Sequence, residues 1–133
     1  MREVVLDASV VLKWFAAEQR GSLEARALRH QYEAGQLSVV VPSLFFLELL
    51  NVAGRRWRWD EDALLELADA LADLSFEIDE PDVQSVARWV SRGLTAHDAA
   101  YVALAEGRNL AVVTDDDAIV DIAPEFGRRL VNG

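Results

Sequence analysis

Two rhythms of hydrophobic and polar positions run along the chain. Short, largely apolar runs at residues 4–6, 38–41 and 111–113 are rich in valine. Runs of that length and β-branched content read as strands buried on both faces. Residues 75–78 read as a further short strand, and 128–131 as a fifth at the sheet edge. Between these runs the apolar positions recur at helical spacing. A helix is expected over 10–17, with Ser9 as its N-cap. A second spans 22–34, periodic through Leu23, Ala27 and Leu28 and stopped by Gly35. A third opens at Pro42 or Ser43 and runs to about Arg58. Asp60 caps the next. Another carries Pro81 in its first turn, where a missing N–H is harmless, and ends at Gly93. Thr95 opens a helix ended by Gly107, and 118–122 form one last turn. Strands that alternate with helices predict an α/β fold with a mainly parallel sheet of four or five short strands.

The totals narrow this reading. A chain of 133 residues suits a single domain over 1–133, and 52% hydrophobic residues supply its core. No apolar run approaches the ~18 residues of a membrane span, and the start does not have a leader layout. There is no cysteine, which removes disulfides and thiolate metal sites and fits a cytoplasmic setting. The formal charge of −10 argues against a general nucleic-acid binder. It fits a cation site, a basic protein partner, or simply solubility.

Four motifs containing acids then stand out: V-V-L-D-A-S around Asp7, P-S-L-F-F-L-E-L-L-N around Glu48, T-A-H-D-A-A around Asp98, and V-V-T-D-D-D ending in Asp115, Asp116 and Asp117. An ionised carboxylate among apolar residues is costly unless a positive group meets it. One lysine and two histidines leave little to meet them, so a divalent cation is the economical partner. Oxygen-only donors favour Mg²⁺ or Mn²⁺. Asp7 and the Asp115–Asp117 triplet follow predicted strands, at the edge where open α/β sheets bind ligands. Asp is also a common turn residue, and three adjacent acids are equally relieved by water. Glu48, Asn51 and Arg55 share one face of an otherwise apolar helix, either as a solvated stripe or as a polar notch facing a cleft. Thr95 and Asp98 have capping-box spacing, which places Asp98 in a first turn where the helix dipole favours its ionised form.

Together these motifs resemble the PIN-domain nucleases, and among them the single-domain VapC-type toxins. The resemblance rests on D-A-S-V-V-L-K-W-F from Asp7, E-L-L-N from Glu48, T-A-H-D-A-A-Y-V-A-L-A from Thr95 and V-V-T-D-D from Val112, in this order along nearly the whole chain. It implies a three-layer α/β/α sandwich. It also implies four metal-holding catalytic acids: Asp7, Glu48, Asp98 and Asp116. Asp116 is selected over Asp115 because the family's fourth acid usually follows T-x, and Asp117 is an extra acid beyond that pattern. Asn51 falls in the family's E-x-x-N position, and Ser9 and Thr114 match supporting hydroxyl positions.

The activity so implied is Mg²⁺-dependent (or Mn²⁺-dependent) hydrolysis of RNA by metal-activated water, leaving a 5′-phosphate and a 3′-hydroxyl. The implied partners are RNA, a cognate antitoxin and a second copy of the chain in a homodimer. Lys13, Arg55 and Arg56 are candidate RNA contacts; Lys13 could equally pair with an acid. Trp57 and Trp59 could stack on bases, but at least one is better read as packing, as are Trp14 and Phe15. His97 reads as a cleft-edge residue and His30 as part of a solvated helix face. The contrasting expectation is a PIN-fold binding or assembly module with little catalysis.

Overall fold

The computed structural model describes residues 2–16 and 21–130. Five strands, β1 (Arg2–Leu6), β2 (Leu37–Val41), β3 (Glu77–Ile78), β4 (Ala111–Thr114) and β5 (Gly127–Arg129), form one sheet in the order β3-β2-β1-β4-β5. Every pairing is parallel, with Val5 of the central strand opposite Val40 on one side and Val112 on the other. Parallel strands need crossovers, and the chain supplies helices for them. These are α1 (Ala8–Phe15), α2 (Ser22–Glu33), α3 (Leu44–Asn51), α4 (Glu61–Asp73), α5 (Val83–Ser91), α6 (Ala96–Arg108) and α7 (Asp117–Ile122).

The strand order dictates the layers. From β1 to β3 the chain steps one way across the sheet, and from β3 it returns past β1 to β4 and β5. Right-handed crossovers then put α1–α4 on one face and α5–α7 on the other. The packing follows: α1 meets α2 and α3, and α3 meets α4, while α6 meets α5 and α7. This is the expected three-layer arrangement. Its turning point, where the connections diverge, lies between β1 and β4.

Sheet and helices enclose one main core of valine, leucine and aromatic side chains, with a second cluster built on Trp89, Leu94, Val102 and Ile119. Helix α6 is buried over seven consecutive residues from Ala99 to Ala105. A helix apolar all round is a central one, and its alanines allow close approach to sheet and neighbours. That burial fixes everything α6 carries at its ends.

Several boundaries differ from the sequence reading for local reasons. Asp7, not Ser9, is the N-cap of α1; its backbone is extended and its carboxylate accepts the Ser9 N–H. Residue 17, expected in that helix, lies outside the described residues, as does residue 131 of the expected fifth strand. In α2 the buried face is Ser22, Ala25 and Leu28, whereas Leu23 is 77% exposed. Pro81 precedes α5, whose N-cap is Asp82. Gly107 lies inside α6, which ends where Asn109 adopts the left-handed conformation (φ 56°), a role Asn fills when glycine is not in place. The third long helix is two segments: α3 continues as a π-helical turn over Val52–Arg56.

Candidate active site

Open parallel sheets present ligand sites beyond the carboxyl ends of their strands, at the point where the connections diverge. Asp7 leaves β1 at that point, and the Asp115–Asp117 triplet leaves β4 beside it. Asp7 is almost fully enclosed (5% exposed). Its Oδ2 accepts from the hydroxyls of Thr114 (2.6 Å) and Ser9 (3.1 Å). Burial pushes its carboxyl above the usual range, and the hydroxyl and amide donors oppose that rise. The same hydroxyls tie the two loops together: Thr114 Oγ1 accepts from the Asp116 N–H at 2.9 Å, and Ser9 Oγ from the Asp115 N–H at 3.1 Å. Ser9 and Thr114 thus stand at the junction of the two loops.

The triplet divides into three separate environments. Asp115 pairs with Lys13 at 3.0 Å. Asp117 points outward to Arg129. Asp116 is the N-cap of α7, accepts from the Ala118 N–H at 2.9 Å, and lies against Asp98 and Asp7. Geometry therefore sets Asp116, alone of the three, with the other acids. Asp117, a candidate support, is turned away from them. Lys13 is enclosed (side chain 6% exposed) and committed to Asp115, so of its two readings the ion pair is the one formed.

Asp98 occupies the first turn of α6, and Thr95 caps that helix by accepting the Asp98 N–H at 3.2 Å. The helix dipole was expected to keep Asp98 ionised. Instead its pKa is raised to about 7, first by desolvation and then by the hydrogen-bonded, like-charged Asp116, with Asp7 adding to it. For Asp98, burial and a neighbouring like charge outweigh the helix end.

Glu48 is half-buried on α3, with its carboxyl raised first by burial and then by Asp7. Of the two readings of that helix face, a polar notch at a cleft is the one formed. The notch opens on a cavity of about 370 Å³ lined by Leu44, Leu47, Asn51, Val52 and His97. Asn51 and His97 are exposed at its rim, which is the cleft-edge position read for His97. Arg55 and Arg56 are exposed in the π-helical turn that follows. Trp57 and Trp59 pack on the core and on each other (ring centroids 5.5 Å apart). Trp14 is buried with its indole N–H donating to Ala25 O, and His30 is exposed.

One participant was missed. The Tyr101 hydroxyl donates to Glu48 Oε1 at 2.7 Å. Its signal was present in T-A-H-D-A-A-Y, since Tyr101 lies three residues after Asp98 and so on the same face of the helix.

Among the described residues, no three His, Asp or Glu side chains converge closely enough to form a ready-made metal cage. The donor set nonetheless suits a hard cation. The charge of Asp7 acts on each of the other three acids, and Asp98 is hydrogen-bonded to Asp116. Lys13 and Arg129, which flank the triplet, are spent on Asp115 and Asp117. Mg²⁺ usually keeps several waters and takes one or two carboxylates directly, so it does not require a closed cage.

A model of the PIN domain matches residues 4–124. Similar solved structures include PAE2754 from Pyrobaculum aerophilum (24% identity, TM-score 0.70, covering 97% of this chain and 90% of that one). FitAcB from Neisseria gonorrhoeae is also similar (17% identity, TM-score 0.72, covering 96% of this chain and 97% of that one). So is a toxin-antitoxin complex from Klebsiella pneumoniae (18% identity, TM-score 0.61, covering 98% of this chain and 99% of that one). No curated protein matches the chain.

Proposed function

Because the chain belongs to the PIN domain family, we propose that it is a divalent-metal-dependent endoribonuclease and the toxin of a toxin–antitoxin pair. The observation that carries this reading is the set of four acids, Asp7, Glu48, Asp98 and Asp116, in which the charge of Asp7 acts on each of the others, with no Lys or Arg among them. Those four would hold Mg²⁺ or Mn²⁺, partly through water. The ion would activate a water molecule and stabilise charge on the scissile phosphate.

The chain's own residues do the positioning. Thr114 and Ser9 fix Asp7 and the Asp116 loop relative to each other. The buried body of α6 fixes Asp98. Asp98 is raised to about 7, and a cation would bind its ionised form, so occupancy would be favoured as pH rises past about 7. Arg55 and Arg56, exposed beyond Glu48 on the same helix, are placed to meet flanking phosphates. With a net charge of −10 the protein offers RNA little other attraction.

An antitoxin partner is supported by the toxin-antitoxin complex among the similar folds. A basic segment reaching the acids would suit their charge. Homodimerisation follows from the family resemblance.

The test is incubation of RNA with antitoxin-free protein in Mg²⁺ or Mn²⁺, beside Asp7→Asn and Asp98→Asn. Cleavage by the parent, lost in both variants and on chelation, is the expected result. Intact RNA with the parent in both metals would leave a PIN-fold binding or assembly module instead.

A further inference from the structure

The hydroxyl of Tyr101 occupies a junction that the four acids do not explain. The residue is fully buried. Its hydroxyl donates to Glu48 Oε1 at 2.7 Å and accepts from the backbone N–H of Ala8, within reach of the charge of Asp7. Three segments far apart in sequence therefore meet at one atom: the start of α1, the middle of α3 and the first turns of α6. Among the described residues Glu48 takes no other hydrogen bond, so its Oε2 is left without a protein donor. Glu48 is the one acid of the four set in the body of a helix rather than at a strand end or in a helix's first turn, and without a tether its three side-chain torsions would be unconstrained by bonding.

We propose that Tyr101 is a positioning residue that holds the Glu48 carboxylate in register with Asp7, occupying Oε1 so that Oε2 remains for the divalent cation. This rests on the metal-dependent reading above. It follows the general rule that a partner which orients a ligand is worth roughly 10- to 100-fold in metal affinity. Tyr101→Phe removes the hydroxyl and keeps the ring that packs the core.

The experiment is Mn²⁺ titration by calorimetry on the full chain, with Tyr101→Phe, Glu48→Gln and the double variant. Tyr101→Phe is expected to weaken Mn²⁺ roughly 10- to 100-fold. In the Glu48→Gln background it is expected to change nothing further, because its effect passes through Glu48. A merely structural role would lower affinity in both backgrounds. Equal affinity in parent and Tyr101→Phe, or additive losses in the double variant, overturns the proposal. Absence of Mn²⁺ binding by the parent overturns the metal-dependent reading itself.

A second readout does not depend on any Tyr101 variant folding. The chain has two tyrosines, so 3-fluorotyrosine labelling gives two ¹⁹F resonances, with Tyr32 as the internal control. Mg²⁺ should shift the Tyr101 resonance in the parent and leave it in place in Glu48→Gln. A Tyr101 resonance indifferent to saturating Mg²⁺ counts against the proposal.

Discussion

Helix α6 carries an acid cluster at each end, and the two are resolved in opposite ways. At its last turn Arg108 reaches Glu77 (2.6 Å), Asp79 (3.2 Å) and Glu3 (3.4 Å), tying the start of β1 and the edge strand β3 to the helix. One guanidinium serves three carboxylates through a planar fork of donors. At its first turn Asp98 meets Asp116 and Asp7, and no guanidinium or ammonium enters. Asp7 is enclosed and hydroxyl-bonded there, and the carboxyls of Asp7 and Asp98 are both raised. A chain that can close an acid cluster with arginine leaves the other without one, at the sheet's turning point. The first cluster is fastening; the second is arranged around a charge that the chain itself does not provide.

The contrast is broken most severely by neutralising the second cluster. Asp98→Asn should lower RNA cleavage by at least about a hundredfold, equivalent to about 2.7 kcal/mol of barrier, as read from single-turnover rates. It should also make the metal-free protein more stable at pH 8, since it removes one of two repelling carboxyls. Next comes Thr114→Val. Thr114 is fully buried, donates to Asp7 and accepts from Asp116 N–H, so its loss leaves two polar groups short of a partner, at roughly 1–3 kcal/mol. Urea unfolding without metal measures this, and an unchanged midpoint would remove Thr114 from the account.

A third effect is pH dependence. Asp98 titrates near 3.8 when unfolded and near 7 when folded. A raised pKa contributes stability that is complete below about 4 and lost as pH climbs through 7. Asp7 and Glu48 are raised too and add in the same direction. Glu106, lowered by Ser85 and Trp89, has the opposite sign, but its contribution is already complete above its unfolded value of 4.5. In chelator, thermal melting should therefore fall between pH 5 and pH 8, and saturating Mn²⁺ should narrow the gap. A melting temperature that rises over that interval without metal would contradict the burial of these acids. Asp98 is half exposed, so solvent reduces the size of the effect.

The smallest expected effect lies at the other end of the helix. Arg108→Met should cost about 1 kcal/mol, more at low salt, and leave Mn²⁺ affinity unchanged. A parallel loss of Mn²⁺ affinity would mean that the two clusters are coupled along α6.

The order and type of the elements were legible because buried parallel strands and amphipathic helices impose distinct periods. What escaped was local. Ser9 has a suitable side chain for a cap, yet Asp7, two residues earlier, has both the extended backbone and the carboxylate. The Leu23 and Ala27 face of α2 was periodic but is not the packed one, because Ala25 and Leu28 lie closer to the sheet's helical layer. At the site, the positions of Asp7, Glu48, Asp98 and Asp116 along the elements could be read. Their mutual electrostatics could not, since a helix end and a neighbouring carboxyl pull the Asp98 pKa in opposite directions and only distance decides between them. Lys13 shows the same limit: sequence offered a phosphate or an acid, and enclosure beside Asp115 chose. Tyr101 was hidden by an aromatic ring that reads as core, which it also is.

That single ion pair has a practical reach. Lys13 is the only lysine in the chain, and it is sealed against Asp115. Amine-directed acylation, lysine cross-linking and conjugation at lysine therefore meet no exposed side chain. Every accessible side-chain cation is an arginine or a histidine, so labelling or tethering through lysine requires one to be introduced, for example at an exposed arginine such as Arg26 on α2.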